Sequence, residues 1–143
     1  MEQTLVIVKP DGVKKRLIGE CINRIEKKGL RIKSVKSGML SLAKANILYK
    51  HIKKNYPRVF KDLVAFMTGG MVVFMIVEGR GAVNKVRKIC GPTDPSKAPK
   101  GTIRGDFGTG NMKRLSKKGK AVRNIIHASG TLAEAKKEIM LFF

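Results

Sequence analysis

Two short, continuous apolar runs limit what this chain of 143 residues can fold into. Thr4–Val8 is rich in β-branched residues and stops at the turn-forming sequence Pro10-Asp11-Gly12, and Met71–Val77 is the longest apolar run. Both lengths are typical of buried β-strands, and both are too short to cross a bilayer. The two runs therefore predict two central strands of a sheet and argue against a membrane-spanning segment. We expect no membrane partner.

Patterns of helical spacing alternate with these runs. A helix is predicted wherever apolar residues recur three and four positions apart, and Pro or a capping residue marks several of the starts. These helices are predicted over 18–25, after Ser41, after Pro57, over 83–89 and after the capping-box pair Thr131 and Glu134.

The remaining segments complete the order of elements. Leu30–Val35 alternates apolar and polar residues, as in a strand with one exposed face, and Val122–Ile126 predicts a final strand. Residues 91–111 are rich in Gly and Pro and predict a long loop, which in a compact domain usually has a function. Strands that alternate with helices favour a sheet covered by helices on one face, of the split βαβ type.

The charge balance is unusual and points to a class of partner. The chain has 31 Lys and Arg against 10 Asp and Glu, a formal net charge of +21. A field of this sign attracts polyanions such as nucleic acid, nucleotides or acidic membrane surfaces, without choosing among them. Ion-pair networks need both signs, so adaptation to heat through ion pairs is poorly supported.

Several other classes are excluded or disfavoured by motifs that are missing. There is no GxxxxGK[ST] phosphate loop and no GxGxxG after the first strand. The two cysteines, Cys21 and Cys90, form no CxxC pair and have no histidine cluster nearby, so a reducing compartment is expected. The N-terminus lacks the basic region and long apolar stretch of a signal peptide, and we expect a soluble, cytoplasmic protein.

Four segments match, in order and spacing, motifs of one known family. The segments are Thr4–Val13 (TLVIVKPDGV), Gly91–Pro95 (GPTDP), Gly101–Phe107 (GTIRGDF) and Arg123–Ser129 (RNIIHAS). Together they resemble the nucleoside diphosphate kinase family, over residues 4–143. The resemblance implies a ferredoxin-like α/β fold (an α+β sandwich) with a four-stranded antiparallel sheet covered by helices, in a single kinase domain over residues 1–143.

The resemblance also implies a reaction and its catalytic residues. The family transfers the γ-phosphate of a nucleoside triphosphate to a nucleoside diphosphate in a ping-pong reaction through a phosphohistidine, which His127 matches. Glu138 matches the carboxylate that fixes the histidine tautomer, and Ser129 matches a serine close to both. Lys9 matches a lysine that reaches the ribose 3′-hydroxyl and the transferring phosphate.

Further residues match groups of the family that bind nucleotide. By resemblance, Arg87, Thr93 and Arg104 bind the β- and γ-phosphates, and Asn124 binds the ribose. Mg²⁺ is the implied cofactor, carried by the nucleotide phosphates with no protein side chain as ligand. The base is implied to be held by stacking, with broad tolerance, and the chain to form a homo-oligomer, a hexamer rather than a tetramer or dimer.

The chain departs from the family pattern at two positions near the expected site. Counting without gaps places His51 where the family has a tyrosine, with Tyr49 two residues away. The same count places Val59 where a phenylalanine stacks on the base, with Phe60 next to it. Both alternatives stay open from the sequence. For the base, Phe60 is the preferred platform, although it also belongs to an apolar helical stripe.

The third departure is an insertion at residues 108–122, here termed the basic segment, where the commoner form of the family has a short link. It contains Lys113, Arg114, Lys117, Lys118 and Lys120 and no acidic residue. A solvated surface hairpin is the simpler expectation for it. The sharper hypothesis is that its charges attract polyphosphate or RNA.

A basic nucleic-acid-binding module of ferredoxin-like fold is the alternative function, either alone or combined with kinase activity. Domains that bind RNA on the face of a β-sheet need aromatic side chains exposed on the central strands. The chain has 6 Phe, 2 Tyr and no Trp, and the alternation in its second strand exposes Arg31 and Lys33 instead. The sequence therefore favours the kinase, with non-specific nucleic-acid binding as a further expectation.

Overall fold

A four-stranded antiparallel sheet forms the centre of the molecule, in the order β2-β3-β1-β4. The computed structural model describes residues 1–143. The strands are β1 (Glu2–Val8), β2 (Arg31–Met39), β3 (Met71–Gly79) and β4 (Ile126–Ala128). This arrangement confirms the predicted fold class of a ferredoxin-like antiparallel sheet with helices.

Nine helices connect and cover the strands. They are α1 (Pro10–Lys14), α2 (Ile18–Lys27), α3 (Leu42–Leu48), α4 (Lys50–Lys53), α5 (Pro57–Thr68), α6 (Ala82–Cys90), α7 (Ile103–Phe107), α8 (Met112–Lys117) and α9 (Leu132–Phe142), with a 3₁₀ turn at Pro95–Lys97. None of them combines the length and the apolar character that crossing a membrane requires.

Helices pack on both faces of the sheet, so the expectation of one covered face is wrong. Alternate residues of β1 point to opposite sides: Val6 and Val8 belong to a core shared with α2 and α6, and Leu5 and Ile7 to a core shared with α3 and α5. Residues 5–8 of β1 and 71–77 of β3 are apolar without interruption, so each strand needs cover on both faces.

The last strand lies further along the chain than predicted. β4 covers Ile126–Ala128 instead of 122–126, because Ile125 has a φ of +74° and cannot continue an extended strand. Before this kink, Arg123 forms only an isolated bridge with Thr109. The shift places His127 inside β4, paired with Ile7 of β1.

Short capped helices occupy much of the predicted loop and the basic segment. Within residues 91–111, Thr102 caps α7 by accepting a hydrogen bond from Gly105 N at 3.0 Å. The basic segment contains α8, capped by Asn111, so the expected hairpin is wrong. Asn111 is a residue type that commonly caps helices, so the local sequence marks the start of α8. The basic composition of the segment does not by itself indicate a helix.

Candidate active site

His127 is held by a carboxylate from α9. Its Nε2 lies 2.6 Å from Glu138 Oε1, so the carboxylate accepts the proton of Nε2 and Nδ1 keeps its lone pair. Nδ1 has no hydrogen-bond partner in the protein, and His127 lines the main cavity. The predicted pairing of these two residues across eleven positions is therefore present in the structure.

Ser129 fixes the carboxylate from behind. Its Oγ donates to the same Glu138 Oε1 at 3.0 Å and accepts from Leu5 N at 3.3 Å. Ser129 is fully buried, and Leu5 belongs to the central strand β1. The orientation of the imidazole is thus set by a chain of contacts that ends in the sheet.

Lys9 follows β1 and is buried beside the cavity. Its Nζ donates to Asn124 Oδ1 at 2.8 Å, and Asn124 Nδ2 donates to the carbonyl oxygen of Thr93 at 3.0 Å. Burial, with the nearby charge of Arg104 second, lowers the pKa of Lys9 from its ordinary 10.5 to about 7. An anion in the cavity would reverse this shift, because it would favour the charged ammonium.

Arg104 connects two walls of the cavity. Its Nη1 donates to Gly91 O at 2.8 Å and its Nη2 to Ile126 O at 2.6 Å, next to His127. Its Nε is buried without a partner, and burial lowers the pKa of the guanidinium. Arg87 also lines the cavity and is exposed, with no protein partner for its guanidinium.

The cavity brings together most of the residues chosen from the sequence. Its volume is about 1580 Å³, and the predicted residues that line it are Lys9, His51, Val59, Arg87, Thr93, Arg104, Asn124, His127 and Glu138. Phe60 is instead buried among the core residues around α5, and Val59 beside it faces the cavity. Ser129 lies behind Glu138.

The structure distinguishes between His51 and Tyr49. The Tyr49 ring meets the His127 ring edge-on, with centroids 6.3 Å apart. Its hydroxyl is buried without a partner, and burial raises the pKa of that phenol. His51 is exposed on α4 at the cavity wall. Tyr49 therefore occupies the place beside the histidine.

The hydrogen bonds that hold the backbone just before His127 were not identified from the sequence. Asp11 Oδ2 accepts a hydrogen bond from Ile125 N at 3.0 Å, and Lys9 N donates to Ile125 O at 2.8 Å. These bonds hold Ile125 in a left-handed conformation that costs a β-branched residue about 1–3 kcal/mol. The sequence feature that could have indicated these bonds is the acidic residue shortly after the first strand, in Lys9-Pro10-Asp11.

The arrangement suits one kind of chemistry. An imidazole with a fixed tautomer is a nucleophile, and the guanidinium and ammonium groups around it match the oxygens of a polyphosphate. Such an arrangement is suited to a phosphotransferase that works through a histidine.

Comparisons with known proteins agree with this class. The model of the family described as nucleoside diphosphate kinase matches residues 2–143. A nucleoside diphosphate kinase of Metallosphaera sedula is 46% identical over 99% of this chain and 93% of the relative, and one of Saccharolobus solfataricus is 45% identical over 99% and 94%.

Solved structures give the same result. A transition-state mimic of the nucleoside-diphosphate kinase from Borrelia burgdorferi, with bound vanadate and ADP, has a TM-score of 0.93 at 38% identity and covers 99% of this chain and 86% of that one. An NDP kinase from Pyrobaculum aerophilum has a TM-score of 0.86 at 31% identity, covering 99% and 95%. This chain belongs to the nucleoside diphosphate kinase family.

Proposed function

We propose that this kinase transfers phosphate through Nδ1 of His127. The lone pair of Nδ1 attacks the γ-phosphorus of a nucleoside triphosphate, the bond to the β–γ bridging oxygen breaks, and the diphosphate leaves with those electrons. A terminal oxygen of a second diphosphate then attacks the same phosphorus and releases Nδ1. The contact of Nε2 with Glu138 at 2.6 Å carries this proposal, because it leaves Nδ1 as the reactive nitrogen.

The cationic residues bind and stabilise the phosphates. Arg104 is held in place by two carbonyl oxygens, whereas Arg87 has both guanidinium edges free for phosphate oxygens. We assign Lys9 to the ribose 3′-hydroxyl and the transferring phosphate; its contact with Asn124, which in turn donates to Thr93, supports this role. Charge stabilisation and positioning are the main requirements of phosphoryl transfer.

Mg²⁺ enters with the nucleotide in this proposal. No group of three or more His, Cys, Asp or Glu side chains is arranged to hold a metal ion, and the cavity wall is mainly cationic and neutral. Such a wall fits a metal already bound to phosphate oxygens and water. When bound, the ion neutralises phosphate charge, while this chain's residues orient the phosphates.

Val59 supplies the apolar contact for the base. It lines the cavity, whereas Phe60 is only 8% exposed and packs in the core. A small apolar contact accepts every purine or pyrimidine face, so broad base tolerance follows. Residues 1–143 act as one kinase domain in which the basic segment is an insertion beside the pocket.

Labelling with γ-labelled ATP tests the proposed nucleophile. The wild-type protein is expected to take up label that is acid-labile and alkali-stable, and to lose it on addition of a nucleoside diphosphate. The His127→Ala variant is expected to take up none, while His51→Ala serves as a matched control that retains labelling. Label retained in His127→Ala would refute the assignment.

We also propose a homo-oligomer, with a hexamer as the expected form. β2 is an edge strand, and it leaves Val35 and Met39 more than half exposed. An apolar edge of this kind is suited to pairing between subunits. Sedimentation at two salt concentrations measures the assembly, and a monomer at both would contradict it.

A further inference from the structure

The acidic residues of this protein are almost all engaged in its own structure. Each one except Glu26 accepts a hydrogen bond from a backbone N–H, a cation or a polar side chain of the protein. The engaged residues are Glu2, Asp11, Glu20, Asp62, Glu78, Asp94, Asp106, Glu134 and Glu138. Two long stretches, 27–61 and 107–133, contain no acidic residue at all.

These two stretches meet on the surface beside the cavity. Arg58 Nη2, at the start of α5, donates to Lys118 O of the basic segment at 2.9 Å. Asp62 anchors the same junction by accepting from Ala121 N at 2.9 Å and from Arg123. The contact joins the cations of α4 and α5 to those of the basic segment.

We term the resulting surface the basic ridge. It consists of Lys50, Lys53, Lys54, Arg58, Lys61, Lys113, Arg114, Lys117, Lys118 and Lys120. All of these side chains are exposed, and none forms a salt bridge with a carboxylate. Only Lys50, Lys54 and Lys120 line the nucleotide cavity, so most of the ridge lies beyond it.

One exposed aromatic ring lies within the ridge. Tyr56 is 56% exposed, at the N-cap of α5, two residues from both Lys54 and Arg58. The other tyrosine, Tyr49, is buried against His127. An exposed ring among unpaired cations offers a stacking platform next to a track for phosphates, which is how proteins bind single-stranded nucleic acid.

We propose that the basic ridge binds single-stranded nucleic acid, with the lysines on successive phosphates and Tyr56 stacked on a base. This site lies on helices and on the basic segment, so it does not require the sheet aromatics whose absence argued against an RNA-binding module. A duplex does not present a base face to Tyr56, and an acidic membrane has no ring for it to stack on. The single strand is the polyanion that uses both features.

The test is binding of a fluorescent oligomer of about 15 nucleotides, as RNA and as DNA, across a series of salt concentrations. The triple variant Lys53→Gln, Lys117→Gln, Lys118→Gln removes three ridge charges and no cavity residue. The matched control is Lys27→Gln, Lys28→Gln, Lys85→Gln, which removes three exposed charges from the C-terminal end of α2 and from α6, on the opposite face of the sheet. Thermal unfolding confirms that each variant is folded.

Tight binding of either oligomer is expected for the wild type. The ridge triple is expected to reduce the slope of log K against log salt by about 2, since each phosphate contact to a single strand contributes about 0.7, and the control triple to leave the slope nearly unchanged. Tyr56→Ala is expected to weaken binding at least about fivefold with the slope unchanged.

Three results would overturn the proposal. One is an equal loss of affinity in the ridge and control triples, which would mean that only the overall charge matters. Another is a duplex of the same length bound as tightly as the single strand, with no effect of Tyr56→Ala. The last is binding of the wild type, but not of the ridge triple, to vesicles rich in acidic phospholipid, with no binding of either oligomer.

Discussion

The contact between Glu138 and His127 leaves a single imidazole nitrogen free for chemistry. Nε2 is held by the Glu138 carboxylate, which also accepts a hydrogen bond from the buried Ser129. Neither the imidazole ring nor the carboxylate is therefore free to turn. A charged acceptor also stabilises positive charge on the ring as the phosphorus–nitrogen bond forms.

Replacing Glu138 by Gln is expected to slow phosphorylation of His127 about tenfold or more, because a neutral acceptor binds the ring proton less strongly than a carboxylate. Rapid-quench measurement of phosphoenzyme formation gives the rate directly. Glu26→Gln is the matched control, since the Glu26 carboxylate has no hydrogen-bond partner in the structure. Wild-type rates in Glu138→Gln would contradict the role given to the carboxylate.

Lys9 predicts how stability changes with pH. Its pKa is about 7 in the folded chain against an ordinary 10.5, so between these values the unfolded chain holds a proton that the folded chain lacks. Raising the pH from about 7 therefore favours the folded state, by about 1.4 kcal/mol per pH unit at most. The penalty of burying the charged lysine is fully present below pH 7 and is relieved as the pH rises.

Urea unfolding of the wild type and of Lys9→Met between pH 7 and pH 8 measures this effect. The free energy of unfolding is expected to rise with pH more steeply in the wild type than in the variant. The highest pH in this range stays below 9.0, the ordinary pKa of Cys21 and Cys90. Burial raises the pKa values of both thiols, so at higher pH they would add a slope of opposite sign. Parallel pH profiles would contradict a neutral buried Lys9.

Helix α1 supports the kink before β4 by close contact. A Cβ on Gly12 would lie 2.8 Å from the carbonyl oxygen of Ile125 and 2.8 Å from a methyl of Val8. Only glycine allows α1 to approach the backbone on which the position of His127 depends.

Gly12→Ala is therefore expected to destabilise the fold by about 1–3 kcal/mol and to lower phosphorylation of His127, because Ile125 must move. Gly19→Ala in α2 is the matched control: nothing lies within 4 Å of its added Cβ, so helix propensity alone predicts a gain of up to about 1 kcal/mol. Denaturation midpoints measure both, and equal stability of the two variants would exclude the close approach.

The element order could be predicted from the sequence because apolar runs and helical spacing are local signals. The start of β4 could not, since Ile125 is a strong strand former and its left-handed backbone is imposed by Asp11 and Lys9, more than a hundred residues earlier. The sequence left the choice between Tyr49 and His51 open for a similar reason. The helix breaks between α3 and α4 at Tyr49, and this turn changes which residue faces His127.

The basic segment predicts an effect on nucleotide capture. Neutralising Lys113, Arg114, Lys117, Lys118 and Lys120 together is expected to raise KM for nucleotide roughly tenfold at low salt, because these charges attract the polyphosphate over a distance. Screening removes the difference at high salt. Steady-state kinetics at several ionic strengths test this, and a KM that does not change with salt in either protein would sink the hypothesis.

The whole molecule carries an unbalanced charge that its structure does not neutralise. The formal charge is +21, and carboxylate salt bridges involve only Arg24, Arg31 and Arg123 among the lysines and arginines. Repulsion among the remaining cations opposes a compact state.

Salt is therefore expected to stabilise the fold. Raising KCl from about 0.01 M to about 0.15 M shortens the screening length from roughly 30 Å to about 8 Å. We expect the melting temperature to rise by about 3 °C for each kcal/mol of repulsion removed. Calorimetry in KCl measures it, and a melting temperature that is constant or falls over this range would contradict the expectation.

Nearly every carboxylate is hydrogen-bonded within the protein, so the chain tolerates the loss of a surface lysine better than the loss of an acidic residue. Loss of an acidic side chain removes a helix cap, the partner of a backbone N–H or the partner that orients His127, and no spare carboxylate lies nearby to take its place. Loss of a typical surface lysine removes one unpaired charge and relieves repulsion. Sequences that drift under selection for the fold alone would therefore keep their few acids fixed while their many lysines vary, and lysines that stay constant would indicate positions selected for binding.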